Sequence, residues 1–229
     1  ITSRAFYTEA FANFLESLTK DSGFESVLTM NTGAEAVETA IKAARRWGYF
    51  TKGIPENKAE IIVADGNFHG RTTTIVSFST DSSYKDGFGP FTPGFESANY
   101  CGSCDCESIN NCISIESFER KINKNTCAIL VEPIQGEAGI RVPKDGWLKE
   151  LRKLCTEKNI LLILDEIQAG LGRTGKLFAY QHENIIPDGL ILGKALGGAM
   201  MPISAFLSSK EIMNHFNAGS HGSTFGGNP

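Results

Sequence analysis

The chain has 229 residues, which is long enough for one large domain. Its formal net charge is −4, which gives no electrostatic reason to bind nucleic acid. No stretch approaches the roughly 18 consecutive apolar residues of a membrane-spanning helix, so we expect neither a nucleic-acid nor a membrane partner. Six cysteines in a chain of this length do not predict the disulfide framework of a small secreted domain. We therefore expect a reducing compartment, with Cys127 and Cys155 as reduced core residues.

Helical and strand-like segments alternate along the chain. Residues 6–20, 34–50 and 145–158 have apolar side chains at helical spacing and predict amphipathic helices. Five shorter segments are β-branched or leucine-rich without clean alternation, as strands covered on both faces are. These are residues 59–64, 127–131, 160–164, 189–192 and 203–207. The order predicts an α/β layered domain on a parallel or mixed sheet. Residues 81–111 show no readable element, and a loop of that length is usually functional or mobile.

Two ionisable residues directly follow predicted strands, at the edge of an open α/β sheet where ligands bind. Asp165 follows five apolar residues, and on this segment alone a solvated loop acid or a helix cap is the favoured reading. Lys194 follows another apolar strand and is flanked by small residues. If the lysine lies against apolar surroundings, desolvation frees its amine to form a Schiff base. The alternative is a lysine that reaches the surface along its aliphatic stem.

Two turns add further candidates. Thr32 with Glu35 fits a capping box, and Gly33 lets a ligand approach the free N–H groups of a helix start, although most such turns only cap a helix. The second turn offers the aromatic face of Phe68 and the guanidinium of Arg71, which suits a carboxylate. A lysine, a carboxylate, a helix start and an aromatic face are together the parts of a pyridoxal phosphate site.

Eight motifs then carry a resemblance that runs in family order across nearly the whole chain. They are Asn31-Thr-Gly-Ala-Glu-Ala36, Asn67-Phe-His-Gly-Arg-Thr72, Gly87-Phe-Gly-Pro-Phe-Thr-Pro-Gly94, Val131-Glu-Pro-Ile-Gln-Gly-Glu-Ala-Gly139, Leu164-Asp-Glu-Ile-Gln168, Gly172-Arg-Thr-Gly175, Leu192-Gly-Lys-Ala-Leu196 and His221-Gly-Ser-Thr-Phe-Gly-Gly-Asn-Pro229. With these motifs the sequence resembles the class III pyridoxal-phosphate-dependent aminotransferases, in the branch that acts on ornithine.

The resemblance implies a set of cofactor contacts. Lys194 forms the Schiff base and moves the proton, and Asp165 pairs with the pyridinium nitrogen. Phe68 stacks on the ring, and Gln168 contacts its phenolic oxygen. The phosphate is held by Thr32, Gly33 and Ala34, and by Ser223 or Thr224 from the other subunit of a homodimer.

The resemblance also implies the substrate contacts and the reaction. Arg71 holds a substrate carboxylate, and Glu132 and Glu137 lie near the substrate. The reaction is a ping-pong transfer of the δ-amino group of ornithine to 2-oxoglutarate, which yields glutamate 5-semialdehyde and glutamate. The implied fold is the type I large domain, a mostly parallel sheet between helices. Residues 1–229 are expected to be that domain, without the family's N-terminal segment and C-terminal small domain.

The cysteine-rich segment departs from the family pattern. Cys101 and Cys104 form a Cys-x-x-Cys motif in a polar loop that we expect to be exposed, and they are a candidate redox pair. The irregular spacing does not predict a metal site. Reduced thiols in a lineage-specific loop are the more ordinary interpretation.

Three rival functions remain to be compared with this hypothesis. Acetylornithine or 4-aminobutyrate aminotransferases share the core motifs. A non-catalytic scaffold is disfavoured because Lys194 and Asp165 are both present. A nucleotide-binding domain needs a Gly-x-Gly-x-x-Gly turn, and the turn at Gly33 has a single glycine. The cytoplasm is the expected location, with the mitochondrial matrix as the alternative.

Overall fold

A seven-stranded mixed sheet organises the chain in a computed structural model that describes residues 7–103, 107 and 109–227. The spatial order of the strands is β1-β7-β6-β5-β4-β2-β3. Their bounds are β1 Ser26–Met30, β2 Glu60–Ala64, β3 Phe95–Ala98, β4 Thr126–Val131, β5 Leu161–Asp165, β6 Gly189–Leu192 and β7 Ser204–Ser208. Strands β6, β5, β4, β2 and β3 are parallel, whereas β7 is antiparallel to its neighbours β6 and β1. The prediction of a mostly parallel sheet is therefore confirmed.

Helices cover both faces of this sheet. Within the described residues they are α1 Glu9–Ser22, α2 Gly33–Phe50, α3 Thr73–Ser77, α4 Ile113–Lys121, α5 Trp147–Glu157 and α6 Lys210–Met213. One core lies under α2, where Val37 and Ile41 pack against the sheet, and the other lies under α5, around Leu148 and Leu151. Each fully buried side chain of this size stabilises the fold by about 1.5–3 kcal/mol. No helix in the described ranges is both long enough and apolar enough to cross a bilayer.

The predicted segments agree with the observed elements to within a few residues, and the short strand expected before the turn at Thr32 is β1. Four elements had no prediction. Strand β3 lies inside the loop predicted for residues 81–111, at the edge of the sheet beside β2. Helices α3, α4 and α6 were also not predicted. All four are short, so they have too few residues for a periodic pattern to be recognised.

The strand directions bring the chemically important turns to one edge of the sheet. Strands β2, β4, β5 and β6 end at this edge because they are parallel, and β1 ends there as well because β7 reverses direction between β6 and β1. The turn before α2, the loops after β2 and β4, and the residues that follow β5 and β6 therefore meet at one place. This is the edge at which ligands bind in open α/β sheets.

Candidate active site

A cavity of about 210 Å³ lies at this edge of the sheet. It is lined by Gly33, Ala34, Phe68, His69, Gly70, Glu132, Ile134, Asp165, Ile167, Gln168 and Lys194. Seven of the eleven lining residues are candidates from the sequence, although they come from five separate segments of the chain. The fold therefore brings most of the predicted cofactor contacts together.

Asp165 is a buried acid of the cavity, with 4% of its surface exposed. Its Oδ1 accepts a hydrogen bond from the backbone N–H of Ile167 at 3.0 Å, and its Oδ2 lies 2.7 Å from Nδ1 of His69. His69 is fully buried. Burial lowers the pKa of His69, but the hydrogen bond to Asp165 and the charges of Asp165 and Glu132 outweigh burial, so its pKa lies above the ordinary value.

Lys194 sits where the chain leaves β6, in a left-handed backbone conformation with φ of 43°. Its Nζ donates a hydrogen bond of 2.6 Å to Oε1 of Gln168. Of the two alternatives that the sequence left open for Lys194, the structure agrees with a lysine that reaches the surface, because its side chain is exposed. A non-glycine residue in this conformation is strained, and such strain is concentrated at functional sites.

Two buried glutamates flank Asp165. Burial raises the pKa of Glu132 to about 7, the charge of Asp165 raises it further, and His69 and the N–H of Phe68 act in the opposite direction. The Oε2 of Glu132 accepts from that N–H at 3.1 Å, which ties the loop after β2 to the end of β4. Burial likewise raises the pKa of Glu166 to about 7.

The start of α2 forms the floor of the cavity. Thr32 caps the helix, and the carboxylate of Glu35 accepts from the N–H of Thr32 at 2.7 Å and from that of Asn31 at 3.0 Å, so the predicted capping box is present. Burial opposes ionisation of Glu35, but these hydrogen bonds outweigh it and hold the pKa of Glu35 below its ordinary value. Because the N–H of Thr32 is already bonded, Gly33 and the following Ala34 provide the first-turn N–H groups that an anion can use.

Close packing explains the glycine at position 33. A Cβ built on Gly33 would lie 2.8 Å from Cδ1 of Ile167, the residue that follows the Asp165 segment. A larger residue at position 33 would therefore require the end of the Ile167 side chain to move. The glycine lets the start of α2 pack closely against the turn that follows β5.

Arg71 and Glu137 lie beside the cavity rather than in it. The guanidinium carbon of Arg71 lies 4.7 Å from the ring centroid of Tyr84 and 5.7 Å from that of Phe68. Tyr84 packs edge-on against Phe68, with their centroids 5.6 Å apart. Glu137 is exposed and lines a neighbouring cavity of about 490 Å³ that shares Phe68 with the main one. These polar groups border the open side of the site.

Ser223 and Thr224 are outside the cavity within this chain. The Oγ of Ser223 accepts a hydrogen bond of 2.9 Å from Nδ2 of Asn31, the residue before Thr32. Thr224 is exposed. Their predicted contact with a phosphate involves a second subunit, so the geometry of one chain does not test it.

The candidate redox pair has a different environment from the one expected. Cys101 is fully buried rather than exposed, and its Sγ lies 3.2 Å from Sγ of Cys112. Cys104 lies outside the described residues. Cys127 and Cys155 are buried as predicted, and burial raises the pKa of each to about 12.

Sequence reasoning missed His69 as a functional candidate. A histidine between Phe68 and Gly70 in a polar turn has no local pattern that predicts burial, and its contact with Asp165 spans 96 residues. The available signal was its position after a buried strand, at the same edge as Asp165.

The site fits pyridoxal phosphate by the chemistry of its groups. The cavity combines an amine at Lys194, a buried carboxylate at Asp165, an aromatic face at Phe68 and two first-turn N–H groups of α2. These groups match an aldehyde, a basic ring nitrogen, an aromatic ring and a phosphate, respectively.

Comparison with known proteins shows the family of the chain. The sequence profile of the family aminotransferase class-III matches residues 1–229. The chain therefore belongs to the class III aminotransferases, and the cofactor of the family is pyridoxal phosphate.

Three individual proteins show what the chain is similar to within this family. Over 229 residues the chain is 55% identical to an ornithine aminotransferase of Brevibacillus brevis, and the match covers 100% of this chain and 54% of the relative. The structure of an ornithine aminotransferase of Toxoplasma gondii superposes with a TM-score of 0.91 at 44% identity, and the match covers 100% of this chain and 51% of that one. That protein was crystallised in the presence of oxidised glutathione and holds pyridoxal phosphate at partial occupancy in its active site. An acetylornithine aminotransferase of Elizabethkingia anophelis superposes with a TM-score of 0.81 at 51% identity, covering 100% of this chain and 53% of that one. The chain thus spans about half the length of these proteins.

Proposed function

We propose that the protein carrying this chain transfers the δ-amino group of L-ornithine to 2-oxoglutarate, giving L-glutamate 5-semialdehyde and L-glutamate in a ping-pong reaction. The observation that carries this proposal is the 55% identity to an ornithine aminotransferase along all 229 residues. The cavity supports it, because the groups that a transaminase needs lie around one space. When bound, pyridoxal phosphate supplies an electrophilic carbon and a ring that stabilises negative charge.

Lys194 is the amine that binds the cofactor's aldehyde and later moves the substrate proton. Its Nζ is held by Gln168 at 2.6 Å, on the exposed side of the cavity. Lys194 lines the same space as the other site residues, and its amine would act there as a general base and then as a general acid. Gln168 orients the amine and contacts the cofactor's phenolic oxygen.

Asp165 and Phe68 position the ring. The carboxylate of Asp165 is buried at the end of β5 and would accept a hydrogen bond from the ring nitrogen of the bound cofactor. A charged acceptor in a site sheltered from water keeps such a nitrogen protonated more effectively than an exposed one would. The aromatic face of Phe68, which contacts Tyr84, would pack on the ring.

The start of α2 binds the phosphate. The N–H groups of Gly33 and Ala34 and the positive end of the α2 dipole attract an anion. Thr32 shapes this turn as the helix cap. We propose that Ser223 or Thr224 of a second subunit also contacts the phosphate. The site is open on the side of Lys194, and the apolar residues Ile140 and Val142 beside it are exposed, as expected of a surface that a second subunit covers. The expected assembly is a homodimer.

The substrate contacts lie at the open side of the cavity. The guanidinium of Arg71 binds a substrate carboxylate in the geometry that favours a two-point contact. Glu132 borders the reacting centre and Glu137 lies further out. Both carboxylates attract the ammonium groups of a diamino acid.

Acetylornithine is the second candidate substrate. The 51% identity to the Elizabethkingia anophelis acetylornithine aminotransferase favours it over 4-aminobutyrate. The two substrates differ in the charge of one amine, because acetylation removes the ammonium that Glu137 would meet.

A single half-reaction tests the proposal. The intact protein, loaded with pyridoxal phosphate, would be mixed with ornithine, N-acetylornithine or 4-aminobutyrate without any 2-oxo acid. We expect ornithine alone to change the cofactor absorbance rapidly and to give a semialdehyde that can be trapped with an aromatic amine. Reaction with N-acetylornithine alone would replace the proposal by its alternative.

Two properties of the whole protein complete the proposal. We place residues 1–229 in the cofactor-binding large domain, because one sheet carries all the strands of the described residues. The buried thiols Cys127 and Cys155 are compatible with the reducing cytoplasm, which is the location we propose.

A further inference from the structure

His69 is a buried polar side chain that the proposed reaction does not use. Its ring is fully enclosed, its Nδ1 lies 2.7 Å from Oδ2 of Asp165, and its Nε2 has no hydrogen-bond partner among the described residues. A buried polar atom without a partner destabilises the folded state, because its hydrogen bond to water is lost and not replaced. A histidine that served packing alone would gain stability from replacement by an apolar residue of similar size.

We propose that His69 is a positioning residue that acts through Asp165: it donates a hydrogen bond from Nδ1 to Oδ2 and fixes the carboxylate toward the cofactor's ring nitrogen. This inference rests on the proposed function. Ionised Asp165 can only accept, so Nδ1 carries the proton whether the ring is neutral or charged. The raised pKa of His69 favours the charged form of its ring beside the carboxylate.

Two hydrogen bonds, one to each carboxylate oxygen of Asp165, define the orientation of the carboxylate. Oδ1 accepts from the N–H of Ile167 at 3.0 Å, within the turn that follows β5, and Oδ2 is bonded to His69 from the loop after β2. With Ile167 alone, the carboxylate could rotate about its last bond. His69 removes that freedom from outside the strand.

The contact between His69 and Asp165 also matters for the charge balance of the site. Glu132 and Glu166, both buried, lie near Asp165 and contribute repulsion when they ionise. Of the residues that the structure describes, His69 is the basic side chain hydrogen-bonded to Asp165. It therefore offsets the repulsion among three neighbouring acids at the point where a carboxylate must stay ionised.

The loop around His69 is built to hold the ring in place. Asn67 is buried and its Nδ2 donates to the carbonyl of Ala64 at 2.7 Å and to that of Phe78 at 3.3 Å. Gly70 has a φ of 128°, and a Cβ there would lie 2.9 Å from Cβ of Ala34 at the start of α2. The residues on both sides of His69 are thus fixed before any ligand binds, which is the requirement for a preorganised site.

Three variants of the intact protein separate positioning from packing. His69→Leu removes the donor, His69→Asn places an amide N–H where Nδ1 is now, and His69→Gln moves the amide one bond further away. For each, we would measure the dissociation constant of pyridoxal phosphate by fluorescence, the melting temperature of the cofactor-free protein, and kcat at saturating cofactor. His215→Asn is the control, because His215 bonds to Thr51 at the far end of α2, about 27 Å from its start.

We expect His69→Leu and His69→Gln to bind the cofactor about 10- to 100-fold more weakly and His69→Asn to recover to within about threefold of wild type. The control should match wild type. If His69→Asn binds the cofactor as weakly as His69→Gln does, or if both bind it as tightly as wild type, His69 is not a positioning residue. If wild type reacts with ornithine but the variants differ only in melting temperature, the inference alone is wrong. If wild type binds no cofactor, the proposed function fails and the inference with it.

Discussion

The stability of the fold should depend on pH through Glu166, and substitution by glutamine should remove that dependence. Glu166 is 1% exposed, and its two carboxylate oxygens accept from the N–H of Ala179 at 2.7 Å and that of Tyr180 at 2.9 Å. Burial raises its pKa from 4.5 to about 7 in spite of these two hydrogen bonds, and the charge of Asp165 acts in the same direction as burial.

The magnitude follows from the difference between folded and unfolded pKa values. Because the folded value is the higher one, the contribution of Glu166 is fully present below about pH 4.5 and is lost as the pH rises through about 7. The total loss is about 3 kcal/mol, of which about 2.5 kcal/mol falls between pH 5 and pH 8. Glutamine does not titrate, so Glu166→Gln should become more stable relative to wild type by about that amount over this range.

Urea unfolding of the cofactor-free protein at several pH values measures this difference directly. The comparison of the variant with wild type cancels the titrating groups that do not interact with Glu166. The exposed Glu16→Gln serves as the control and should differ from wild type by a constant amount at all pH values. A constant difference for Glu166→Gln as well would mean that Glu166 is ionised throughout, and the reasoning from burial would be refuted.

Three further substitutions test the site and the core. Lys194→Ala should reduce the half-reaction by about 100- to 10,000-fold, because the proton-transfer amine is lost, as stopped-flow absorbance would report. Gly136→Ala should lower kcat by roughly 10- to 100-fold with an unchanged melting temperature, since a Cβ there would overlap the amide of Gln168 and displace it from the lysine; steady-state kinetics with a thermal melt checks both. Trp147→Ala should destabilise the protein by about 3–5 kcal/mol in urea, because the ring is fully buried and its Nε1 donates to Oγ of Ser114 at 3.0 Å.

The sheet could be predicted from local sequence because its central strands are buried on both faces. The predicted apolar runs that end at Val131, Leu164 and Leu192 correspond to β4, β5 and β6 within one residue. The edge strand β3 could not be predicted, since its four residues are partly exposed and lie in a region rich in turn-forming residues. A segment of four residues is too short for an alternating pattern to be recognised.

The site could be predicted as a set of residues but not as a set of environments. Asp165 was placed correctly because a strand end fixes its position. The exposure of Lys194 and the burial of His69 could not be predicted, since each depends on segments distant in sequence. The same reason explains why Cys101 was expected to be exposed, whereas the fold buries it beside Cys112.

The reversal at β7 has a consequence for the order in which the protein folds. Strand β1, near the start of the chain, joins the sheet only by pairing with β7, where Met30 lies opposite Ser204 and the Oγ of Ser204 donates to the carbonyl of Thr32 at 2.6 Å. A contact that closes a loop of this length forms late, because the chain entropy of closure is lost before the pairing compensates for it. The helix start and the lysine therefore come together in a late folding event. The ability to bind cofactor should lag behind the growth of secondary structure during refolding, so that uptake of the cofactor reports the last step of assembly.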